Sequence, residues 1–435
     1  DSDVARDAPI QTLISGPVGG AIGNISLSEM LGYQNSIGID MGGTSYDVNI
    51  VVNGRPDVST ETHLEGFPLL TPMVNIFTVG AGGGSIAWVQ NGGLRVGPES
   101  AGAYPGPACY GKGGSMPTIT DANVVLGRID CNSFLGGQMI LDLQAATSAV
   151  DSIAQELNLS VQETAEGICK VADAKMADAI RQITVRKGLD PRKFVLIAYG
   201  GAGPMHACTT AEELGISTVL VPEAPGTFSA WGMHQADIRQ DSVRTVTSDI
   251  SQVDYVTLES AHKEMKDEVS RIMLTQNIDP DHIEYFLTAD LRYNGQDSTI
   301  NVPLSLAEIN ATTLEILRKD FDQTHYDIHG HNNPEGQVDL VNIRLVGLGK
   351  MDRITKIKES EYFETLPDPR AINEVVFYNK KYETKMYQRE KLRCGNKLSG
   401  PVIIEELTTT TIVPPGYQVT VDEYRNLLIE KNKRG

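Results

Sequence analysis

The residues best suited to chemistry lie in one short stretch, IGIDMGGTSYDVNIV, residues 37–51. An apolar run ends at Asp40, Gly42 and Gly43 follow in a short turn sequence, and Asp47 opens a second apolar run. Two adjacent glycines let the backbone approach a ligand closely and turn successive N–H groups toward one point, which makes a cradle for an anion. The pattern predicts a phosphate-binding turn, with a plain β-hairpin as the alternative.

Two side chains of this stretch add to the phosphate hypothesis. Thr44 supplies a hydroxyl donor directly after the glycines. Asp40, placed beside bound phosphates, is the kind of group that holds magnesium or its water shell. We therefore expect Asp40 to be a metal ligand.

A second glycine motif occurs in FVLIAYGGAGPMHA, residues 194–207, where an apolar run leads into Gly200, Gly201 and Gly203. Bare backbone at these positions lets a flat ligand lie against the chain, while close packing of a helix on a strand is the structural alternative. His206 follows within the first turn of the expected helix. It is interpreted either as a catalytic residue or as a structural histidine with satisfied hydrogen bonds.

Charge and composition exclude several classes of protein. The chain has 435 residues, 40% of them hydrophobic, and a formal net charge of -19. Such an acidic balance disfavours non-specific binding to nucleic acid or to an anionic membrane. No apolar run approaches the roughly 18 residues that a membrane-spanning helix needs.

The cysteines give no sign of a disulfide framework or a zinc site. The five residues Cys109, Cys131, Cys169, Cys208 and Cys394 are odd in number, widely spaced and without a CxxC pair. Their scatter fits a reducing compartment, so a cytoplasmic location is expected.

The elements that must position the glycine motifs follow from periodicity. Apolar residues at steps of three or four predict a helix over 162–187, followed by a strand over 194–199. A strand, a glycine turn, a helix and a second strand with its own glycine turn are typical of an α/β nucleotide-binding domain. We predict this domain over residues 1–245.

The rest of the chain differs in pattern and has few glycines. A helix is predicted over 255–275 and strands over 284–293, 298–303 and 338–346, which indicate an α+β domain over 246–350. Short β-prone segments separated by turns predict a small all-β domain over 351–435.

The sequences of these motifs resemble those of the hydantoinase A/oxoprolinase family. The matching stretches are SGPVGGAIG (15–23), DMGGTSYDV (40–48), TVGAGGGSIAWV (78–89), GGLRVGPESAGAYPGPACYG (92–111), PTITDANVVLGR (117–128), VLIAYGGAGPMHA (195–207), ADLRYNGQ (289–296), LSGPVIIEE (398–406) and PPG (414–416). They extend over essentially the whole chain. The resemblance implies a partial actin/hexokinase/heat-shock-chaperone-like (ribonuclease H-like) ATPase domain.

The resemblance also implies roles for particular residues. Residues 40–47, including Ser45, match the family's second phosphate loop, with Asp40 and Asp47 as catalytic carboxylates. Residues 200–203 match its adenosine loop. Residues 15–23 match the helix that connects the two lobes of the ATPase.

Further positions are implied less directly and keep a structural alternative. They are Arg181, Arg186, the loop 80–85, Thr120, Asp121 and Asn123. The two arginines are equally well explained as solvated surface residues. Asp121 is interpreted as the N-cap of a helix.

The family couples hydrolysis of ATP, with magnesium, to the opening of cyclic amides such as hydantoins and 5-oxoproline. The resemblance therefore implies an ATP-binding subunit of a cyclic-amide hydrolase that acts with a hydantoinase B-type subunit. Two alternatives stay open: a subunit of an ATP-dependent ketone carboxylase, and a non-catalytic nucleotide-sensing module on the same fold. Neither nucleic acid nor a membrane is expected as a partner.

One departure from the family pattern concerns the first phosphate loop. The family opens with its own D-x-G-G-T loop in an N-terminal lobe, and no stretch of this sequence matches that loop. Two such loops close over the phosphates in this fold. We therefore expect the missing lobe to be a partner of this chain, and the chain alone to show negligible ATP hydrolysis.

Overall fold

The computed structural model describes residues 15–59, 62–64, 67–69, 73–305, 310–351, 353 and 356–432. These residues form two compact units. One unit contains the described residues of 12–235 and 354–435, and the other contains residues 236–353.

The glycine motifs lie in the first unit, whose elements up to residue 235 are a helix, a run of ten strands, three helices and then two strands each followed by a helix. In chain order they are α1 (Ser15–Leu31), β1 (Ser36–Met41), β2 (Tyr46–Val52), β3 (Arg55–Pro56), β4 (Val58–Ser59), β5 (Thr62–Leu64), β6 (Phe67–Leu69), β7 (Met73–Val74), β8 (Phe77–Val79), β9 (Ser85–Gln90), β10 (Gly93–Ser100), α2 (Ile119–Val125), α3 (Leu143–Leu157), α4 (Val161–Arg186), β11 (Val195–Tyr199), α5 (Gly203–Leu214), β12 (Thr218–Val221) and α6 (Phe228–Met233). The predicted helix over 162–187 and strand over 194–199 are confirmed by α4 and β11.

The second unit has the α+β character that its sequence predicts. Its elements are β13 (Ile238–Asp249), α7 (Tyr255–Thr275), β14 (Ile283–Tyr293), β15 (Ile300–Leu304), α8 (Ala311–His329) and β16 (Val338–Gly349). The four strands form an antiparallel sheet in the order β13-β16-β14-β15, and both helices pack on it. Its core includes Met265, Val269, Leu291, Phe321 and Ile343.

The remaining strands return to the first unit. They are β17 (Ala371–Phe377), β18 (Lys380–Gln388), β19 (Lys397–Ser399), β20 (Val402–Glu405), β21 (Thr410–Val413), β22 (Tyr417–Val421) and β23 (Leu427–Lys431). The sequence predicts a separate small domain over 351–435. The structure differs, because β23 pairs antiparallel with β12 and carries β22 and β19 into the sheet of the glycine motifs.

The central sheet of the first unit sets the position of the site. Along the described residues its order is β19-β22-β23-β12-β11-β1-β2-β3, with β8 also paired to β2. Strands β12, β11 and β1 run parallel, whereas β1 and β2 form an antiparallel hairpin. The carboxyl ends of β1 and β11 therefore meet at one edge, where both glycine motifs begin. The mixed α/β class with several sheets is as predicted.

Helix α4 supports this sheet from one face, and its ends are defined by sequence. Ser160 is its N-cap and forms a capping box with Glu163, an arrangement that satisfies two backbone donors at the helix start. Its buried stripe, which includes Ile168, Met176 and Ile183, packs into the core below β1 and β11. None of the described helices combines the length and apolar character that a bilayer crossing requires.

Candidate functional site

The hairpin between β1 and β2 places two carboxylates opposite each other. Asp40 and Asp47 are direct partners in the antiparallel register, so their side chains lie on the same face of the sheet. The turn that joins the strands is closed by a hydrogen bond of 3.1 Å from Gly42 N–H to the carbonyl of Ser45. The strand, turn and strand predicted over residues 37–51 are present.

A second glycine loop holds this turn from behind. The N–H groups of Gly83 and Gly84 donate to the carbonyls of Gly42 and Gly43 at 3.0 and 2.7 Å. A Cβ added at Gly82 would lie 2.4 Å from the carbonyl carbon of Gly43, so only glycine fits there. The loop 80–85, which the resemblance singles out, thus fixes the shape of the turn.

The front of the turn is open. A Cβ on Gly42 or Gly43 would meet no protein atom within 4 Å, and neither residue has a left-handed φ. Along the described chain, the N–H groups of Gly43 and Thr44 have no protein acceptor. The fold therefore does not require glycine at these two positions, whereas close approach of a ligand does.

The two carboxylates are partly withdrawn from water and lack a cation. Asp40 accepts a hydrogen bond of 3.0 Å from the Ser229 hydroxyl, and Asp47 accepts one of 2.6 Å from the Thr78 hydroxyl. Burial raises the pKa of both side chains, and the charge of Asp47 further raises the pKa of Asp40. Neither has a lysine or arginine partner among the described residues. A divalent cation beside them would relieve this mutual repulsion.

The few carboxylates available here suit magnesium better than a metal ion that is coordinated entirely by protein side chains. Within the described ranges no three His, Cys, Asp or Glu side chains are grouped to hold an ion. Magnesium usually keeps several waters and binds through one or two carboxylates together with substrate phosphates. Asp40, and Asp47 opposite it, are the residues that would hold it here.

The adenosine-loop motif meets the phosphate-turn motif at the sheet edge. Strand β11 runs parallel to β1 with Tyr199 paired to Asp40. Gly200 has a φ of +81°, and a Cβ there would lie 2.2 Å from the Asp40 carboxylate. Two independent constraints therefore require glycine at position 200. The structure brings Asp40 and Gly200 into contact as the sequence hypothesis needs.

A cavity of about 190 Å³ opens beside the turn. It is lined by Gly42 and Gly43, by Gly83 and Gly84, by Thr120 and Asn123, by Gly201 and Ala202, and by a group of apolar and aromatic side chains with His206. Both glycine motifs thus face one space. Gly203 stands apart from it, at the start of α5 and near the carbonyl of Ile39.

One sequence interpretation needs revision. The N-cap of α2 is Thr118. Asp121 is the third residue of the helix and forms a capping box with Thr118. The Asp121 carboxylate is fully buried and also accepts from the N–H groups of Ala108 and Cys109. Its role is structural and wider than capping, because it joins the helix to the preceding loop.

The two arginines lie on α4 without a described contact to the turn. Arg181 donates to the carbonyl of Glu213 at 2.7 Å and is exposed. No hydrogen bond or ion pair of Arg186 is found along the described chain. Both arginines therefore fit the interpretation that they are solvated surface residues.

Some contributors to the site escape sequence reasoning. Thr78 and Ser229 donate to the two carboxylates from positions 31 and 189 residues away along the chain. A lone Thr or Ser has no local signature. Thr120 was detectable only through the resemblance; its backbone N–H and hydroxyl each donate to Gly83 at 2.9 Å.

A buried glutamate near the site leads to a pH prediction. Burial raises the pKa of Glu406 to about 7, in spite of the opposing charge of Arg389. Unfolded glutamate titrates near pH ~4.3, so the folded state binds this proton more tightly. Stability contributed by Glu406 is therefore full below the unfolded pKa and decreases as pH rises to about 7.

Glu406→Gln is accordingly expected to raise the melting temperature by several degrees at pH 8 and to leave it nearly unchanged at pH 4. Thermal melts of the variant and the native protein across this pH range test the effect. Glu405→Gln is the matched control, since Glu405 is ion-paired with Arg370. A difference between Glu406→Gln and the native protein that is independent of pH would contradict the assignment.

These features define a mixed α/β protein with a glycine-lined turn flanked by one half-buried and one buried carboxylate. The chain belongs to the hydantoinase/oxoprolinase family. The hydantoinase/oxoprolinase model matches residues 1–242, and the hydantoinase/oxoprolinase C-terminal domain model matches residues 246–432. The family predicted from the motifs is confirmed.

Individual relatives support the same assignment. The chain is 34% identical to the caprolactamase alpha subunit of Pseudomonas jessenii over 96% of its own length and 61% of the relative. The solved nucleotide-free structure of an acetone carboxylase matches with a TM-score of 0.84 at 29% identity, covering 96% of this chain and 61% of that one. The crystal structure of the ATP-dependent caprolactamase matches with a TM-score of 0.79 at 33% identity, covering 95% and 61%.

The chain spans about three fifths of the length of several of the curated relatives that it matches.

Proposed function

We propose that this chain binds ATP and directs its γ-phosphoryl group to the carbonyl oxygen of a cyclic amide, within an enzyme that then opens the ring. The observation that carries the proposal is the open front of the turn, where a side chain on Gly42 or Gly43 would meet no protein atom within 4 Å, beside the half-buried Asp40 and the buried Asp47, which lack a cation among the described residues. Such a site is suited to a ligand that brings phosphates together with a divalent cation.

The sheet supports the further proposal that the first unit is half of an actin/hexokinase/heat-shock-chaperone-like ATPase. In that reading the β1–β2 hairpin carries the second phosphate loop and β11 carries the adenosine loop. Parallel pairing of β1 with β11 places both loops at one edge, as such a site requires. The first phosphate loop is then supplied by a separate lobe, and the ring-opening site by a hydantoinase B-type partner.

The chemistry follows from the poor reactivity of an amide. The carbon of an amide is a poor electrophile. Transfer of the γ-phosphoryl group to the amide oxygen releases ADP and makes that carbon open to attack by water. The ring C–N bond then breaks, and the phosphoryl group leaves as inorganic phosphate. The N–H groups of Gly43 and Thr44, with the Thr44 and Ser45 hydroxyls, position the phosphates, because phosphoryl transfer depends mainly on positioning and charge neutralisation. Asp40 and Asp47 would hold magnesium, whose chemistry there would be to neutralise charge on the phosphates.

A ketone carboxylase subunit is the second candidate, favoured by the structural match to acetone carboxylase. A ketone oxygen can be phosphorylated at the same kind of site once the neighbouring carbon loses a proton. The residues described here serve either reaction, since both transfer a phosphoryl group to a carbonyl oxygen.

A turnover screen of the assembled enzyme tests the proposal. Phosphate release is measured with hydantoins, 5-oxoproline and caprolactam, and separately with ketones plus bicarbonate. We expect at least one cyclic amide to stimulate release by about tenfold or more over the basal rate. Stimulation by a ketone with bicarbonate alone would establish the carboxylase, whereas nucleotide binding without any stimulation would point to a nucleotide-sensing module.

A further inference from the structure

A larger cavity, of about 640 Å³, lies between helices α4 and α5 and the turn that joins β17 to β18. Its volume falls within the ~300–1,000 Å³ that is typical of small-molecule sites. Neither the glycines of the phosphate turn nor residues 200–203 line it, and it shares only Met205 and His206 with the smaller cavity beside the turn. It is therefore a space distinct from the candidate phosphate site.

Part of the wall of this larger cavity is apolar. Cys169 on α4, Cys208 on α5, Phe377 at the end of β17 and Ile412 on β21 all line it, and all four are buried. Transfer of apolar surface from water to such a wall is favourable. The wall therefore suits a ligand with a hydrocarbon body.

The charged side chains that line the cavity are mainly acidic. Five carboxylates stand against one arginine and one lysine; the acidic residues are Glu163, Glu166, Asp173, Glu212 and Glu213. The arginine, Arg128, is already engaged, because its Nη2 lies 2.6 Å from Oε1 of Glu166. Such a distribution of charge favours a cation over an anion.

Asp173 is the buried member of this acidic group, and one of its oxygens is free. The residue is 6% exposed, and its Oδ1 lies 2.6 Å from Nδ1 of His206. Its Oδ2 has no hydrogen-bond partner along the described chain but is not among its fully enclosed polar atoms, whereas Nε2 of His206 is. Because Asp173 lines the cavity, the free oxygen opens into it.

The free oxygen lacks a cationic partner from the protein. In the part of the chain that the structure describes, no lysine or arginine lies within ion-pair distance of Asp173. A buried carboxylate is costly unless it is paired and hydrogen-bonded. A primary ammonium group offers three donors and no acceptor, and its hydrogen bonds to a carboxylate are of the strong, charge-assisted kind.

We propose that this cavity binds an aliphatic amine, whose ammonium group donates to Oδ2 of Asp173 and whose hydrocarbon chain lies against Cys169, Cys208 and Phe377. The inference is independent of the proposed function, because no residue of the phosphate turn takes part in it. A carboxylate on the ligand is unfavourable, since the other four acidic side chains of the cavity repel it.

Calorimetric titration of the assembled enzyme with hexylamine, without nucleotide and at neutral pH, tests the proposal. The comparison ligands are 1-hexanol, which has the same chain without the charge, and 6-aminohexanoate, which adds a carboxylate. Hexylamine is expected to bind at least about tenfold more tightly than either. Equal binding of 1-hexanol would reduce the cavity to an apolar slot, and equal binding of 6-aminohexanoate would overturn the choice of a simple amine.

Asp173→Asn keeps the size of the side chain and removes its charge, so hexylamine should bind the variant at least about tenfold more weakly. Asp178→Asn is the matched control, because it makes the same change on an exposed residue of α4 that does not line the cavity. Hexylamine should bind this control as it binds the native enzyme. Equal weakening in both variants would mean a general attraction to an acidic chain and would overturn the inference.

A third variant serves if Asp173→Asn does not fold. Lys170 is exposed on α4 and lines the cavity, so Lys170→Gln removes a like charge without disturbing the core. Hexylamine should then bind about twofold more tightly. Unchanged or weaker binding to Lys170→Gln would contradict the proposal. Because these titrations contain no nucleotide, their failure leaves the proposed function intact.

Discussion

Replacing Asp40 with asparagine is expected to lower turnover of the assembled enzyme by at least about tenfold, or roughly 1.4 kcal/mol of transition-state stabilisation. Asparagine keeps the size of the side chain and can still accept from the Ser229 hydroxyl. It removes the charge that, in the proposed site, would hold magnesium beside the phosphates. Steady-state phosphate release across a series of magnesium concentrations measures the effect.

The same substitution is expected to raise the melting temperature when magnesium is absent. The pKa of Asp40 is raised by burial and by Asp47, so its ionisation is less favourable in the folded protein than in the unfolded chain. The cost of this charge is absent below the unfolded pKa and grows as pH rises through the folded pKa. The gain from Asp40→Asn should therefore be present at pH 8 and small at pH 4.

Addition of magnesium should make the native protein more stable than Asp40→Asn, the reverse of the order without magnesium. An ion that binds only the folded protein stabilises it, so the native protein gains on addition of magnesium with nucleotide and Asp40→Asn gains less. Asp190→Asn is the control, since Asp190 is exposed and paired with Arg192, and its turnover should be unchanged. Normal turnover and unchanged magnesium dependence in Asp40→Asn would rule out the metal role. A loss of stability without loss of turnover would mean that Asp40 only supports the turn.

Local patterns in the sequence were sufficient to predict the helix and the strands that carry the candidate site. The apolar stripe of α4 and the apolar runs of β1 and β11 predict their own type and extent, because each is long or flanked by glycine. The spacing likewise selects Asp40 and the glycines of the turn as candidate site residues, because two adjacent glycines beside a carboxylate form a recognisable local pattern.

Non-local pairing explains the main difference in architecture. The strand β23 is a short β-prone segment whose pattern fits a small separate domain equally well. Its pairing with β12 joins Val219 to Ile429 across some two hundred residues of sequence. The return of the chain to the first sheet is decided by this contact, and no local periodicity encodes it.

The same reasoning applies to the partners of the carboxylates and to the histidine. Ser229 reaches Asp40 because α6 packs against α1 near the sheet edge. No local sequence pattern of either helix predicts that contact. His206 has two interpretations in the sequence, and the structure shows it bonded to Asp173 on one side only. Whether a buried polar side chain finds hydrogen-bond partners depends on which elements pack together, so only the structure shows it.

Gly43→Val is expected to weaken nucleotide binding by at least about tenfold, or roughly 1.4 kcal/mol, without unfolding the protein. A Cβ at this position would meet no protein atom within 4 Å, so the valine side chain would extend into the space in front of the turn, where the proposed phosphates would lie. Gly43 also has an ordinary φ, which a β-branched residue can adopt. Loss of glycine flexibility in the unfolded chain should even offset part of any strain.

Calorimetric titration with ATP and magnesium, alongside thermal melts, separates the two effects of this substitution. Gly93 is the matched control, because its Cβ would meet no atom closer than 3.4 Å and its φ is likewise outside the left-handed region, while it pairs with Gln90 at the hairpin end of β9 and β10, the end of β9 opposite to Ser85. Gly93→Val should therefore bind nucleotide normally. Equal affinity in Gly43→Val and the native protein would show that the glycines serve only the turn. A large fall in melting temperature for Gly43→Val alone would show that the open space in front of the turn is needed by the fold and not by a ligand.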